Sequence, residues 1–400
     1  MDAALLGYVL DWVHLGVRWL HVIAAIAWVG ASFYFIALDY SLSTPDARSI
    51  ADGVGGESWE IHGGGFYRVQ KFRLAPAALP SSLRWFKWEA YTTWLSGFVL
   101  LVLLYYVDAG VTLVDPNVLA VPPWVAVGAS LALIVASWLA YDQLSRRLAD
   151  RAGALSIAIV ALVILVTWVA AHLFSARAAY IMVGAALGTW MAANVFFVII
   201  PGQRELIAAK AAGREPDARH AVRGKQRSVH NNYLTLPVLF AMISQHFPFT
   251  YGNPNAWLVL LALMGVGAMV RHFFNLRHQG RLRWGVLGAA LLVAGLLFVI
   301  IAPASGRLAF GSGPADFATV RNIVGTRCIL CHTTSPAYAG MITPPRGITF
   351  DDPSHIRQEA SLIYEQVVIA RRMPLANVTA MTDDERAVIA RWFQSGAPDR

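Results

Sequence analysis

Long apolar blocks with few internal charges occupy most of the chain before residue 304. A helix that crosses a bilayer core needs about 20 consecutive apolar residues, and these blocks approach that length. Hydrophobic residues make up 57% of the chain and charged residues only 14%, which excludes an ordinary soluble enzyme. We therefore predict an all-α fold, a polytopic membrane helix bundle. Its eight predicted spans cover residues 15–38, 91–107, 122–141, 154–173, 178–200, 231–247, 255–273 and 284–303.

Basic residues are distributed unequally between the loops that join these spans. Twenty of them lie in the first, third, fifth and seventh loops, whereas the loops near 108–121, 174–177 and 248–254 hold only Arg177. Membrane proteins keep the loops that are rich in Lys and Arg in the cytoplasm. We predict that the odd-numbered loops are cytoplasmic and that both ends of the bundle face outward. The same bias accounts for the net charge of +8, so nucleic acid is not an expected partner.

The sequence Cys328-Ile-Leu-Cys331-His332 follows the apolar blocks and contains both cysteines of the chain. This pattern is typical of c-type haem, in which two thiols bond to the haem vinyl groups and the histidine ligates the iron. Zinc would need two further Cys or His ligands at matching spacing, and a redox dithiol would need a βαβ context. Neither is found. Because c-type haem is attached outside the cytoplasm, the C-terminal region is predicted to be periplasmic, in agreement with the loop charges.

A change of composition divides the chain into two domains. We predict a transmembrane domain over residues 1–303, a Pro/Gly/Ser-rich linker over 304–314 and a small class I-like cytochrome c domain over 315–400. Helices are expected near 359–371 and after the helix cap Thr382. A covalent haem supplies the apolar bulk that so small a domain lacks.

The haem iron needs a second axial ligand if it is to carry electrons in a low-spin state. His332 supplies the first ligand, and Met373, between the last two helices, is the predicted second one because a thioether raises the reduction potential. Met341 and Met381 are the alternatives. Met381 directly precedes the last helix, where it can serve as a hydrophobic staple instead.

The first span carries a polar stripe on one helix face, formed by Asp11, His14, Arg18 and His21. Ionisable groups at membrane depth usually face a cavity or a partner. His172, near the end of the fourth span, is expected at a similar depth. We predict an outer-half pocket in which His21 and His172 act as base or ligands, with a second haem or metal as a further candidate. Interfacial snorkelling is the alternative for the first three residues.

Two other stretches have the composition of a substrate site. In the first loop, His62 precedes Gly63-Gly64-Gly65, whose backbone N–H groups could face an anion, and Arg68 could add charge. A plain flexible loop is the alternative for this stretch. At the start of the sixth span, His230 and Asn231 could hold a polar heterocycle.

Three runs in the membrane domain resemble a known family. They are Glu57-Ser-Trp-Glu-Ile-His62-Gly-Gly-Gly-Phe-Tyr67, Trp85-Phe-Lys-Trp-Glu-Ala-Tyr-Thr-Thr-Trp94-Leu-Ser-Gly97 and His230-Asn-Asn-Tyr-Leu-Thr-Leu-Pro237. The chain resembles the integral-membrane urate hydroxylases of bacterial purine breakdown, which join eight spans to a C-terminal cytochrome c. The resemblance implies oxidation of urate to 5-hydroxyisourate and a bacterial inner-membrane location. It also implies that the haem c passes electrons to a soluble cytochrome c or a terminal oxidase rather than directly to O₂.

The predicted topology restricts where urate can be oxidised. A site at His62 or His230 would be separated from the haem by ~30 Å of hydrocarbon, whereas the outer-half pocket avoids this distance. Two other functions remain open. One is a cytochrome c subunit that oxidises a quinol or another donor, and the other is a transporter with a tethered electron-transfer domain. No inverted repeat that would favour a transporter is visible in the sequence.

Overall fold

The computed structural model describes residues 3–302, 315–338, 343–369 and 371–399. These residues form a helical bundle and a small C-terminal domain. The described chain is mostly helical, as predicted, and its strands form a two-stranded β-hairpin in the first loop, which was not predicted from the sequence. The predicted linker 304–314 and the alternative ligand Met341 lie outside the described residues.

Twelve α-helices and the hairpin make up residues 3–302. In chain order they are α1 (Ala3–Ser41), α2 (Ala47–Ala51), β1 (Val54–His62), β2 (Gly65–Phe72), α3 (Trp88–Leu101), α4 (Ala109–Thr112), α5 (Pro123–Arg147), α6 (Ala152–Leu173), α7 (Ala176–Asn194), α8 (Ile200–Ala211), α9 (Ala218–Ile243), α10 (Pro248–Tyr251), α11 (Ala256–His278) and α12 (Trp284–Ile300). Each predicted span falls mostly on one of the longer helices. π-Helical turns at Val102–Tyr106 and Val195–Ile199 extend α3 and join α7 to α8.

Five helical segments of the described chain are long and apolar enough to cross a membrane. They are Tyr8–Ser41, Pro123–Arg147, Ala152–Leu173, Ala176–Ala211 and Ala256–His278. The other three predicted spans coincide with α3, α9 and α12. Of these, α12 is apolar but has only 17 residues, and α9 begins with a polar half. The chain therefore has the helices of a multi-span membrane protein.

The most deeply buried helix of the bundle is α7. Its side chains Tyr180, Leu187 and Trp190 are almost completely buried, and they belong to one continuous apolar core. The helix packs against α5, α6 and α9. At Gly184 the approach to α9 is so close that an added Cβ would lie 2.9 Å from the Cβ of Ala241. Small residues let helix backbones approach in this way.

The hairpin corrects the interpretation of the glycine run. Strands β1 and β2 pair antiparallel, with His62 opposite Gly65. Gly63 and Gly64 form the two-residue turn with φ values of 58° and 81°. A tight hairpin turn needs positive φ at both central residues, which glycine adopts without steric cost. The glycines therefore serve to reverse the chain.

The C-terminal domain consists of short helices around a separate apolar core. Its helices are α13 (Phe317–Arg327), α14 (Pro353–Gln358), α15 (Ala360–Ile363) and α16 (Asp383–Gln394), with a π-helical turn at Tyr364–Ile369 after α15. The core includes the buried residues Val320, Ile389 and Trp392. Thr382 and Glu385 form a reciprocal capping box at the start of α16, which confirms the predicted helix start.

The C-terminal domain contacts the bundle on the side of the loops that are poor in basic residues. The Tyr338 hydroxyl donates to the carbonyl of Gly110 at 3.5 Å, and Arg372 Nη2 donates to the carbonyl of His246 at 3.3 Å. The short turn Leu375–Asn377 packs against α4. We call this side the domain end. The opposite side, where α1 leads into the hairpin, is called the hairpin end.

Replacing Gly184 by alanine should destabilise the bundle. The added methyl must displace Ala241, and overpacking of this kind costs about 1–3 kcal/mol. Gly188, one turn further along α7, has no atom within 4 Å of an added Cβ, so Gly188→Ala is the matched control. Thermal unfolding in detergent should show a lower Tm for Gly184→Ala only. Equal Tm values for the two variants would contradict the tight contact between α7 and α9.

Candidate functional site

The Cys-x-x-Cys-His sequence lies directly after α13 in a tight turn. The amides of Cys331 and His332 both donate to the carbonyl of Cys328, at 3.1 and 2.9 Å. Both cysteines have free thiols. Burial raises the pKa of Cys328 to about 12 and also raises that of Cys331, so both thiols are protonated at neutral pH. A reactive dithiol depends instead on a lowered thiol pKa. Among the described residues no group of three or more His, Cys, Asp or Glu could hold a metal ion.

His332 is held in the orientation that an iron ligand requires. Its Nδ1 donates to the carbonyl of Ile348 at 3.0 Å, and its own carbonyl accepts from the amide of Phe350 at 2.9 Å. A hydrogen bond at Nδ1 fixes the tautomer and leaves the lone pair of Nε2 for a metal, as is usual for ligating histidines. The donor set of this turn therefore fits a c-type haem.

The two described methionines occupy different environments in the C-terminal domain. Met381 is 4% exposed within the core, and Asn377 bonds to both its amide and its carbonyl. Met373 lies at the partly buried edge of the same core, where Cys328 also packs. The guanidinium of Arg386 donates to the carbonyl of Met373 at 2.8 Å and so fixes this segment. Met381 has the surroundings of a packing residue, and Met373 remains the predicted second ligand.

A buried polar network joins α5, α7 and α9 inside the bundle. Arg227, only 3% exposed, donates to Asp142 Oδ1 at 2.7 Å and to Asn194 Oδ1 at 3.1 Å. Asn194 then donates to the Tyr141 hydroxyl at 2.9 Å and to Asn231 Oδ1 at 2.8 Å. These bonds satisfy an arginine and a carboxylate that would be costly to bury alone.

His230 belongs to this network, since its Nδ1 lies 2.8 Å from the Tyr141 hydroxyl. The Tyr141 ring stacks on Trp190 with 4.8 Å between ring centroids, and the Cζ of Arg227 lies 5.0 Å from the centre of the Tyr141 ring. Asn231 also donates to the carbonyl of Met191 at 3.0 Å. The two predicted substrate residues on α9, His230 and Asn231, therefore both belong to this network, in which the amide of Asn231 and the Nδ1 of His230 already have protein partners.

A second polar cluster lies between α9 and α11. Arg271 donates to Asn232 at 2.9 Å and to Asn275 at 2.9 Å, and its guanidinium lies 4.1 Å from the centre of the Phe33 ring. Asn232 in turn donates to the carbonyl of Ser32 on α1 at 3.4 Å. This cluster connects α1 to the central helices.

Sequence reasoning missed most of these residues. Arg227 is one of the basic residues counted above in the fifth loop, yet it is buried. The available signal was its spacing from His230 and Asn231, since residues three and four apart on a helix share a face. Asp142 and Asn194 gave a weaker signal, because single polar residues near helix ends are common in membrane proteins.

A cavity of about 220 Å³ opens at the domain end between α6, α7 and α11. His172 lines it together with Thr167, Asn253 and Trp257. The Nδ1 of His172 donates to the carbonyl of Trp168 at 2.7 Å, and the two rings lie 4.3 Å apart. Nε2 is therefore the atom of His172 that remains for a bound molecule. We call this space the outer cavity.

His21 lies elsewhere, at the contact between α1 and α3. Its Nδ1 lies 3.0 Å from the carbonyl of Thr93 and 3.1 Å from Ser96 Oγ. The ring covers Gly97, where an added Cβ would lie 2.9 Å from Cε1. His21 is not among the residues that line the outer cavity. The structure therefore does not bring His21 and His172 into one pocket.

The candidates in the first loop are found on the hairpin. Arg68 donates to Glu57 Oε2 at 2.7 Å and to Asp46 Oδ2 at 2.9 Å. Hydrogen bonds to these carboxylates raise the pKa of Arg68, and its charge is balanced within the protein. His62 is exposed beside the turn. Both residues lie at the hairpin end, away from the C-terminal domain.

Comparison with known proteins gives one match. Residues 7–302 match the protein-family model described as urate oxidase N-terminal. This match spans the whole helical bundle and stops before the C-terminal domain. Comparisons with curated proteins and with solved structures found no match.

Replacing Asp142 by asparagine should destabilise the bundle strongly. The change leaves Arg227 buried without a counter-charge, and loss of one partner of a buried ion pair costs about 3–5 kcal/mol. Asp150 is exposed in the following turn and makes no salt bridge to a described residue, so Asp150→Asn is the control. Thermal unfolding should show a large decrease in Tm for Asp142→Asn alone. Retention of the wild-type Tm would mean that the network is not a major source of stability.

Proposed function

The chain belongs to the urate oxidase N-terminal family, and we propose from this premise that it oxidises urate to 5-hydroxyisourate at the membrane. The family match carries the proposal, because it covers the bundle from residue 7 to residue 302. The Cys-x-x-Cys-His turn supports the second part of the proposal, that electrons leave through a covalent haem c. The proposed location is the bacterial inner membrane, crossed by eight spans, with the C-terminal domain in the periplasm.

Four residues of the C-terminal domain would hold the haem. Cys328 and Cys331 would bond to it covalently, and His332 and Met373 would be the axial ligands. When bound, the haem supplies an acceptor for one electron at a time. The bond from His332 to the carbonyl of Ile348 keeps Nε2 unprotonated, and Arg386 fixes the backbone of Met373. A soluble cytochrome c or a terminal oxidase is the proposed next acceptor.

The reaction requires a base as well as an electron acceptor. The urate anion and water together yield neutral 5-hydroxyisourate, two electrons and one proton. A histidine within hydrogen-bond reach of the attacking water or of a ring N–H could take up a proton. His172 has this capacity, since its Nε2 remains available at the outer cavity.

The position of the outer cavity also supports this proposal. It is lined by residues of the loops at the domain end, including Asp115 and Asn253, and the C-terminal domain contacts the same side of the bundle. Urate in this cavity would avoid the ~30 Å of hydrocarbon that separates the hairpin end from the haem domain. Trp257 provides an aromatic face for a planar heterocycle. His21 does not line the outer cavity, and it is proposed only as a ligand of a second haem or metal.

Urate should reduce the haem c of the purified oxidised protein. An α-band typical of reduced c-type haem should appear on anaerobic addition of urate, and 5-hydroxyisourate should form in a ratio of one molecule to two electrons. Xanthine, which lacks the 8-oxo group, and a quinol are the controls. Reduction by the quinol but not by urate would identify a respiratory cytochrome subunit and contradict the proposal.

Replacing His172 by alanine should slow haem reduction by urate about 100-fold or more, the effect expected for loss of a general base. Haem content and reduction by dithionite should stay at wild-type levels. His278→Ala, at the hairpin end, is the control and should retain full activity. An unchanged rate for His172→Ala would exclude His172 as the base. A loss confined to His21→Ala would shift the site to the contact between α1 and α3.

A further inference from the structure

A second cavity, of about 230 Å³, lies at the hairpin end between α5, α8 and α9. We call it the inner cavity. A single ordered water needs only about 10–15 Å³ of such space, so the inner cavity has room for a small organic molecule. The polar residues that line it are Ser145, Arg146, His220, Arg223, Gln226 and Arg227.

The inner cavity carries more positive than negative charge. Three guanidinium groups line it, from Arg146, Arg223 and Arg227. Asp142 bonds to both Arg146 and Arg227, at 2.7 Å each, so one carboxylate is shared between two cations. Arg223 makes no salt bridge to any residue that the structure describes. The charge of the cavity therefore favours an anion.

Ser145 also lines the cavity and is 2% exposed. Its Oγ is closed off from solvent and lies beside the Tyr141 hydroxyl, so it does not present a donor to the cavity. The excess of guanidinium groups, and above all Arg223, which makes no salt bridge to a described residue, is what favours an anion here.

We infer that the inner cavity binds a small anion rich in acceptor oxygens, and that this anion is urate taken up at the hairpin end. The identity of the anion rests on the proposed function. Urate is a planar anion with several carbonyl oxygens and ring N–H groups. The guanidinium group of an arginine presents parallel N–H donors that match neighbouring acceptor oxygens of such an anion.

The buried polar network connects the inner cavity to the interior of the bundle. Arg227 lines the cavity and also bonds to Asn194, which bonds to Tyr141. Tyr141 in turn contacts His230. The anion site therefore adjoins a continuous line of buried polar groups. By the loop charges, the hairpin end is the predicted cytoplasmic side.

Thiol protection can test this site on the full-length protein with its haem attached, independently of turnover. Gln226→Cys introduces a thiol into the cavity wall, while the native cysteines are occupied by haem. Urate should slow maleimide labelling of this thiol.

A second substitution tests the arginine. In the variant that also carries Arg223→Gln, the urate concentration that halves the labelling rate should be about ten times higher. Arg223 is exposed, so the fold should survive the change. Adding Arg219→Gln, an exposed arginine paired with Asp217 outside the cavity, should leave protection unchanged.

Inorganic phosphate provides the second arm of the experiment, because it shares the acceptor oxygens of urate. Protection by phosphate but not by urate would overturn the assignment of urate. Equal loss of protection in the Arg223 and Arg219 variants, or no protection at all, would overturn the site itself. Protection by urate in a protein whose haem urate does not reduce would uphold the site and reject the proposed function instead.

Discussion

The ion pair between Arg227 and Asp142 is the contact on which the centre of the bundle depends. It fixes α9 to α5, and through Asn194 it also includes α7, the most deeply buried helix. In an apolar environment, separation of such a pair leaves a charge with no solvent to stabilise it. The three helices are therefore held in one arrangement. That arrangement also defines the wall of the inner cavity and the position of His230.

The molecule has two chemically different ends. Many guanidinium groups lie at the hairpin end. Some are balanced by carboxylates, as Arg68 is, and others line the inner cavity. The domain end has few basic residues but holds the outer cavity and the contacts with the C-terminal domain. We propose uptake of the anion at the first end, and oxidation and electron exit at the second. The bundle between them contains buried polar side chains that bond to one another, among them Arg227, Asn194 and Tyr141.

Hydropathy and capping were sufficient to predict much of the fold. Each predicted span falls on a helix because average hydrophobicity over about 20 residues does not depend on side-chain partners. The cap at Thr382 was predictable because its hydrogen bonds are local in sequence. The hairpin was missed although Gly63 and Gly64 are typical of its turn, because the flanking strands were read only for charge. The glycine run was interpreted as a site for an anion, whereas its residues form the turn of a hairpin.

The candidate sites were less predictable, because they depend on partners distant in sequence. Arg227 resembles its neighbours in the basic loop until Asp142, on another helix, is known to lie 2.7 Å away. His21 and His172 are both histidines in predicted spans, yet helix packing separates them. The Cys-x-x-Cys-His turn differs because its donors are consecutive, so the sequence alone places them together, and haem binding there stays a prediction. The bond of His332 to Ile348 adds what the sequence could not give, the identity of the nitrogen that remains for a ligand.

Two hydrogen bonds join the C-terminal domain to the bundle, and both are accepted by backbone carbonyls, those of Gly110 and His246. Every residue type presents the same carbonyl oxygen. The bundle side of this interface can therefore change its side chains at these two positions without losing the hydrogen bonds, provided that the backbone keeps its path. What the interface requires is loop shape rather than loop sequence. Insertions or deletions between α3 and α5 would disturb the seating of the domain far more than substitutions there.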